Sequence, residues 1–562
     1  MATPPSAPPS ALPPPVASPA RGRTAPATVR RAGARPDGRG RRPEVWLWPT
    51  LLTLALTVYE IGSPLLWQDE LTTWEVARRS TGRLLDTLQH VDAVLGAYYL
   101  LLHGWMSVFG DSATALRLPS ALAMAGTAGC TALIGQRLFG RRAGLAAGLL
   151  FGLVPVVTRY AHEARPYALV VLAATLATLL LLRALERPES RWRWTAYAGC
   201  VAAVGLLHLI ALTVLAGHLV LVVRRARADR STALRFGLAA LAGTAAAGPV
   251  VLLGRAHAGR QISWIPGPDL WSLVTFLPQL YASALVAGAM TVLAALAGGD
   301  RHGAAVSRAS VSPAAVSPEP DGAEPDGANA GGSAADRPYA DRPTAGSSAV
   351  LGLLALALLP PLLLWAVSHG DVSYFYYRYL LFTLPAWAVL AGAGVAGPRS
   401  RLRSRGAVAG VIVALVLLTL PEQQAVRRPF AHFWQGVDFE GAARTIEKYH
   451  RPGDAVAFDR GDDHWRMLDV GVRFYLADGL RPRDVFLGTA AADRADLWST
   501  ECPDPAACLR EEPRIWLVVA GDAADPLDAL PAAQARALRA RYTATGAERL
   551  TGVTVALLVR LP

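Results

Sequence analysis

The chain has 562 residues, of which 52% are hydrophobic and only 17% charged, and its mean hydropathy is +0.29. This is too apolar for a water-soluble protein of several domains, so composition excludes that class and predicts a polytopic membrane protein. The formal net charge of +12 does not point to nucleic acid, because the arginines cluster in short segments beside apolar runs, the pattern of cytoplasmic loops.

Residues 1–43 are rich in Pro, Ala, Ser and Arg with almost nothing to bury, and are expected to form a disordered cytoplasmic tail. Arg41 and Arg42 stand directly before the first expected span, Val45 to about Gly62, which keeps the N-terminus inside. The stretch PLLWQDELTTWEVARRS, Pro64 to Ser80, then emerges outside with the adjacent acids Asp69 and Glu70. An acid near the hydrocarbon boundary loses hydration and is therefore paired, protonated or functional. The next apolar run, Ala93 to Phe109, is shorter than the roughly 20 residues a crossing needs and carries His103. Counting it as a span would also place Arg137, Arg141 and Arg142 outside, so it reads as an interfacial or re-entrant helix.

Spans are then expected at about 115–138, 143–157 and 167–182, which puts Arg117 and the run His162–Tyr167 on the same side as Asp69. The run from Trp194 to Val223 is too long for one helix and is polar at His208, so it reads as two short spans with a turn there. A seventh span, about 233–253, leads to an outer loop containing Gln261 to Pro266, and an eighth covers about 273–296. Residues 298–347 switch to Ala, Gly, Pro, Asp and Ser, the composition of a disordered cytoplasmic linker. A ninth span, about 350–367, delivers the aromatic stretch Asp371–Tyr379 outside. A tenth runs to about Val395, and after the basic loop holding Arg399, Arg401, Arg403 and Arg405 an eleventh covers 407–420. The predicted fold class is mostly α, with about 11 transmembrane helices in 44–421 and a small extracytoplasmic α/β domain in 422–562. In that domain Phe439–Tyr449 and Pro531–Arg541 read as helices, and 455–458, 515–519 and 553–558 as strands. Cys502 and Cys508 are close enough in sequence to pair in an oxidising compartment. The run Asp459–Asp463 reads as a solvated turn in preference to a metal site.

The outer loops collect Asp69, Glu70, His90, Asp92, Arg117, Glu163, Arg165, Tyr167, Trp264, Tyr376, Arg378 and Tyr379. Carboxylates can deprotonate a hydroxyl acceptor, and arginine binds phosphate through a planar fork of donors. Tyrosine and tryptophan offer flat apolar faces with a polar edge, suited to sugars and to the headgroup boundary. Together these groups fit transfer of a sugar from a lipid phosphate. His90, His103 and His208 have no ligand spacing that marks a metal site.

The order of motifs adds to this reading. DE at 69–70, a short aromatic helix ending in FG, RLPS at 117–120, RLFGRRAG at 137–144, EARPYAL at 163–169, QISWIP at 261–266 and YYRYL at 376–380 follow one another. In that order they resemble the bacterial relatives of protein O-mannosyltransferases within the GT-C glycosyltransferase superfamily, over most of residues 45–420. The resemblance implies a polyprenyl-phosphate-linked donor carrying a mannose-like hexose or a pentose, transfer with inversion, and an active-site acid in the first outer loop. On the matching positions it implies Asp69 as the base, Glu70 or Glu163 as its helper, and Arg117, Arg165 and Arg378 on the donor phosphate. The partners expected are that donor, membrane lipid, and a protein, polysaccharide or lipid acceptor, with no nucleic acid. No cofactor is required for certain, although carboxylates beside a phosphate can hold a divalent cation, Mg or Mn. The alternative is a polytopic transporter or flippase, which should show internal repeats and polar residues near the midplane. Here the polar groups crowd the outer rim.

Overall fold

In the computed structural model the described residues are 44–226, 229–262, 264–298, 346–398, 400–402, 404–432, 436–461 and 464–562. The expected N-terminal tail, nearly all of the 298–347 linker, Ser263, Arg399, Arg403, Asp462 and Asp463 lie outside them. The helical part begins with α1 (Leu47–Val58), α2 (Gln68–Ala77), α3 (Thr81–His90), α4 (Gly96–Phe109), α5 (Ala113–Phe139), α6 (Arg141–Leu153), α7 (Pro155–Ala161) and α8 (Tyr167–Glu186). It continues with α9 (Arg191–Leu207), α10 (Val214–Ala226), α11 (Arg230–Ala245), α12 (Gly248–Gln261), α13 (Ser272–Tyr281), α14 (Ala284–Ala295), α15 (Gly346–Val367), α16 (Leu384–Ala396) and α17 (Arg405–Ala425).

Among the described residues five helical segments are long and apolar enough to cross a bilayer, and three bent pairs raise this to eight. The chain is a multi-pass membrane protein, but a count of 11 spans is not established. The difference arises where short helices replace straight spans. Pro155 lacks an N–H and breaks the expected third span, bending α6 against α7 by 61°. The expected eighth span is a 101° corner between α13 and α14, where Ala282 adopts a left-handed conformation and the Ser283 hydroxyl caps α14. At 14 residues α4 spans about 21 Å, too little for a crossing. His208 does interrupt the run between α9 and α10, as its polarity predicts.

Small residues let the helices approach closely. A Cβ on Gly144 of α6 would stand 2.4 Å from the Ala132 carbonyl oxygen of α5, and one on Gly392 of α16 would stand 2.6 Å from that of Ala143. The seam makes α16 the central helix; every one of its residues is buried. Proline also sets a local contact. Pro119 cannot donate to the Ala115 carbonyl four residues earlier, and that oxygen accepts the Trp105 indole N–H at 2.9 Å, fastening α4 to α5.

The C-terminal part contains α18 (Phe439–Tyr449), α19 (Leu468–Tyr475), α20 (Pro505–Cys508) and α21 (Ala532–Arg539) around a five-stranded sheet. Its strands are β1 (Ala455–Phe458), β2 (Arg483–Asp484), β3 (Arg514–Ala520), β4 (Tyr542–Leu550) and β5 (Val553–Arg560), in the order β2-β1-β3-β5-β4. The β1 pairings are parallel, and β3, β5 and β4 pair antiparallel. Cys502 and Cys508 form a disulfide. One sheet face, with Val456, Trp516 and Val555, shares a single apolar cluster with Leu71 and Trp74 of α2. Of the Asp459–Asp463 run only Asp459 to Gly461 are described, and these are not a solvated turn: Asp459 is buried and the Arg460 side chain pairs with Asp469, Asp484 and Glu501.

Candidate active site

Asp69 and Glu70 occupy the first turn of α2, where negative charge meets the positive end of the helix dipole. Successive helical side chains point about 100° apart, and the two carboxylates have different surroundings. Glu70 turns inward and is wholly buried. Arg117 Nε donates to its Oε1 at 2.8 Å and Nη2 to its Oε2 at 2.7 Å, while the Ala164 amide donates to Oε1 at 2.8 Å. The other Arg117 donors go to the carbonyls of Ile61, Pro64 and Leu65 at 3.0, 2.7 and 3.2 Å. A guanidinium has five N–H donors, and all five are used within the protein. Glu70 as a helper base and Arg117 as a phosphate ligand therefore do not fit the geometry. The pair instead clamps the 61–65 segment, α2 and the loop before α8 into one unit.

Asp69 turns toward the open side, with its side chain 27% exposed. Arg378 Nη1 approaches its Oδ2 at 3.2 Å and Arg165 Nε lies 3.9 Å from the same oxygen. Arg165 also reaches the Asp69 carbonyl at 3.4 Å and the Thr73 hydroxyl at 3.3 Å. Five aromatic rings surround the Arg378 guanidinium, with centroids between 5.1 and 5.8 Å away: Trp67, Tyr167, Trp264, Tyr376 and Tyr379. This is cation–π distance, and the rings hold a fixed cation in an apolar shell. Trp264 meets Tyr376 edge to face at 5.1 Å, and His208 lies 4.8 Å from Tyr379. Residues 309 positions apart in sequence, Asp69 and Arg378, thus meet at one end of the bundle.

Glu163 lies in the loop between α7 and α8, buried, and neither carboxylate oxygen has a hydrogen-bond partner among the described residues. Burial pushes its carboxyl up to about 7, against the pull of Arg159 and Arg378. Its folded value is thus raised above the unfolded one, so the folded state holds the proton more tightly and stability falls as pH rises from about 4.5 to about 7. Glu163→Gln is expected to flatten that fall. Thermal unfolding at pH 5 and pH 8 checks this: the wild type should lose more melting temperature between the two than the variant does.

Of the remaining acids and histidines, Asp92 is buried and accepts a hydrogen bond from Tyr99, while His90 bonds the Asp86 carbonyl of its own helix at 2.9 Å. Sequence reasoning missed Trp67, although it stands two residues before Asp69, and missed Arg159, whose charge acts on Glu163. It also missed the hold of the C-terminal part on α2. Arg473 pairs with Glu75 at 2.6 Å, the Leu66 amide donates to the Tyr475 hydroxyl at 2.8 Å, and Phe474 packs edge to face on Trp74 at 5.1 Å.

Residues 95–251 match the family described as dolichyl-phosphate-mannose-protein mannosyltransferase. The structure is similar to that of ArnT from Cupriavidus metallidurans bound to undecaprenyl phosphate, with a TM-score of 0.56 at 13% identity over 91% of this chain and 97% of that one. The apo state of the same protein gives 0.54 at 14% identity over the same shares. The chain has the GT-C fold. Its mannosyltransferase-like segment contains Arg117, Glu163, Arg165 and Tyr167, whereas Asp69 and Arg378 lie on either side of it. No curated protein matches the sequence. Within this GT-C fold the end of the bundle that carries Asp69 also carries the aromatic shell and the Arg165 and Arg378 guanidiniums.

Proposed function

We propose that this protein is an integral membrane glycosyltransferase that moves a sugar, a mannose-like hexose or a pentose, from a polyprenyl phosphate to an extracytoplasmic acceptor, inverting the anomeric centre. The observation that carries the reading is Asp69, a partly open carboxylate facing Arg378 and Arg165 beside a shell of aromatic rings. In the reaction the acceptor O–H bond breaks, its proton passes to Asp69, and the oxygen attacks the anomeric carbon. The bond from that carbon to the phosphate oxygen breaks, and the phosphate leaves with the electron pair against Arg378 and Arg165. Phosphate is a competent leaving group once its charge is neutralised, so the protein's contribution is positioning, a base and fixed cations. Tyr167, Trp264, Tyr376 and Tyr379 supply apolar faces for the sugar and hold Arg378 in place.

The reading places this end of the bundle and the C-terminal domain, residues 422–562, outside the cytoplasm. Neutralisation is assigned to the two guanidiniums; magnesium or manganese beside Asp69 is the other means by which the same charge could be met. The test is transfer of radiolabelled sugar from synthetic polyprenyl-phosphate donors into acceptor fractions of membranes that contain or lack the protein. Label should move only with the protein and should survive EDTA. Label that stays on the donor while free or lipid-linked solute crosses the membrane would show a transporter, and loss of transfer in EDTA would assign the neutralisation to a cation.

A further inference from the structure

A cavity of about 220 Å³ lies between the sheet and α2. Three carboxylates line it, Glu75, Asp469 and Asp484, and three guanidiniums, Arg460, Arg473 and Arg481. These six charges balance, so the cavity favours a neutral ligand over a phosphate or a metal ion. Phe458 and Trp498 add aromatic surface to the same wall. The volume is below the roughly 300–1,000 Å³ of sites for drug-sized molecules and suits one ring rather than a chain.

The charged groups are fixed without being exhausted. Arg460 Nε donates to Asp469 at 3.0 Å and Nη2 donates to Asp484, while Nη1 lies 3.4 Å from Glu501 outside the wall. Arg473 holds Glu75 at 2.6 Å. A carboxylate has about four lone-pair sites, so each of these acids can still accept from a hydroxyl. Preset carboxylates and guanidiniums around a small aromatic surface are the chemistry that recognises a polyol ring, whose C–H face is apolar and whose edge carries hydroxyls.

The cavity is tied to the site through one helix. Glu75 follows Asp69 by six residues on α2, a rise of about 9 Å. Between them the Thr72 hydroxyl, which donates to the Gln68 carbonyl at 2.9 Å, lies 3.0 Å from Met467 Sδ, and Met467 belongs to the cavity wall. We propose that this cavity is a carbohydrate subsite that seats one sugar residue of a glycan acceptor, so that the acceptor's terminal hydroxyl lies at Asp69. The proposal rests on the transferase reading for its link to Asp69, but binding to the cavity stands independently of it.

The test uses the full-length protein in detergent or nanodiscs, with methyl mannoside, methyl galactoside and methyl arabinoside as probes in saturation-transfer NMR. At least one glycoside should bind the wild type and bind Asp69→Asn equally well. Trp498→Ala should weaken it about tenfold, the loss of one good contact. Arg481→Ala is the companion variant, because among the described residues the Arg481 guanidinium bonds only the nearby carbonyls of Ala477 and Leu480, at 3.4 and 3.0 Å, and its removal leaves the fold in place. In the transfer assay both variants should raise KM for the acceptor about tenfold while donor KM stays fixed, a split that a merely structural role would not produce. Absence of binding by all three glycosides, or binding unchanged in both variants, overturns the subsite. Binding that responds to the variants in a protein without transfer activity would keep the subsite and overturn the transferase reading instead.

Discussion

Asp69→Asn is expected to lower the rate of sugar transfer by about 10²–10⁴-fold, the range that a positioned general base contributes. Asparagine keeps the shape of the side chain and an oxygen that can still accept from Arg378, which lies 3.2 Å from the carboxylate. It loses the negative charge and the ability to take a proton. Because Asp69 lies on the open side, with its side chain 27% exposed, the change should leave the melting temperature near that of the wild type. Donor KM should also change little, since Arg378 and Arg165, the guanidiniums proposed to meet the phosphate, remain. Single-turnover transfer from a polyprenyl-phosphate donor separates chemistry from binding and release. A folded Asn variant that turns over at the wild-type rate removes Asp69 from the role of base.

The site was legible in the sequence to the extent that its residues border apolar runs. Asp69, Glu163, Arg165 and Arg378 each stand next to such a run, so the side on which each run ends brings them to one face, and the contact between Asp69 and Arg378 agrees with that placement. What the runs do not encode is which way a side chain turns within a helical turn. The resemblance puts Asp69 ahead of Glu70 as the base, but the apolar pattern alone does not separate these neighbours, and in the structure the buried Arg117 and the Ala164 amide distinguish them. The span count stays unconfirmed where helices bend: the 101° corner at Ala282 and Ser283 falls within a run expected to be one span, four residues after Pro278 of α13. In the sheet, β1, β3 and β5 are buried and apolar and were foreseen. The edge strand β4 was not: seven of its nine residues, from Thr543 to Arg549, are exposed and alternate small and polar types around Gly546, so no apolar period marks it.

Glu70→Gln and Arg117→Ala are expected to act on stability, each by about 3–5 kcal/mol, because removing one member of a buried ion pair leaves the other charge uncompensated. The expected readout is a lower melting temperature in detergent and a smaller folded yield. The placement of the pair makes the cost large. Arg117 gives all five donors to Glu70 and three backbone carbonyls, so its removal also orphans Ile61, Pro64 and Leu65 at the entry to α2. A double variant with both charges replaced by apolar groups, Glu70→Leu with Arg117→Met, should recover part of the loss, since no unpaired charge then remains. It cannot recover all of it, because the carbonyls stay unsatisfied. The double-mutant cycle should therefore be strongly non-additive. Transfer activity then separates the two acids of α2: Asp69→Asn stops chemistry in a stable protein, whereas the Glu70 and Arg117 variants lose activity in proportion to folded protein. If Glu70→Gln instead kept its melting temperature and lost turnover as Asp69→Asn does, Glu70 would be a participant in the reaction rather than the clamp that aims its neighbour.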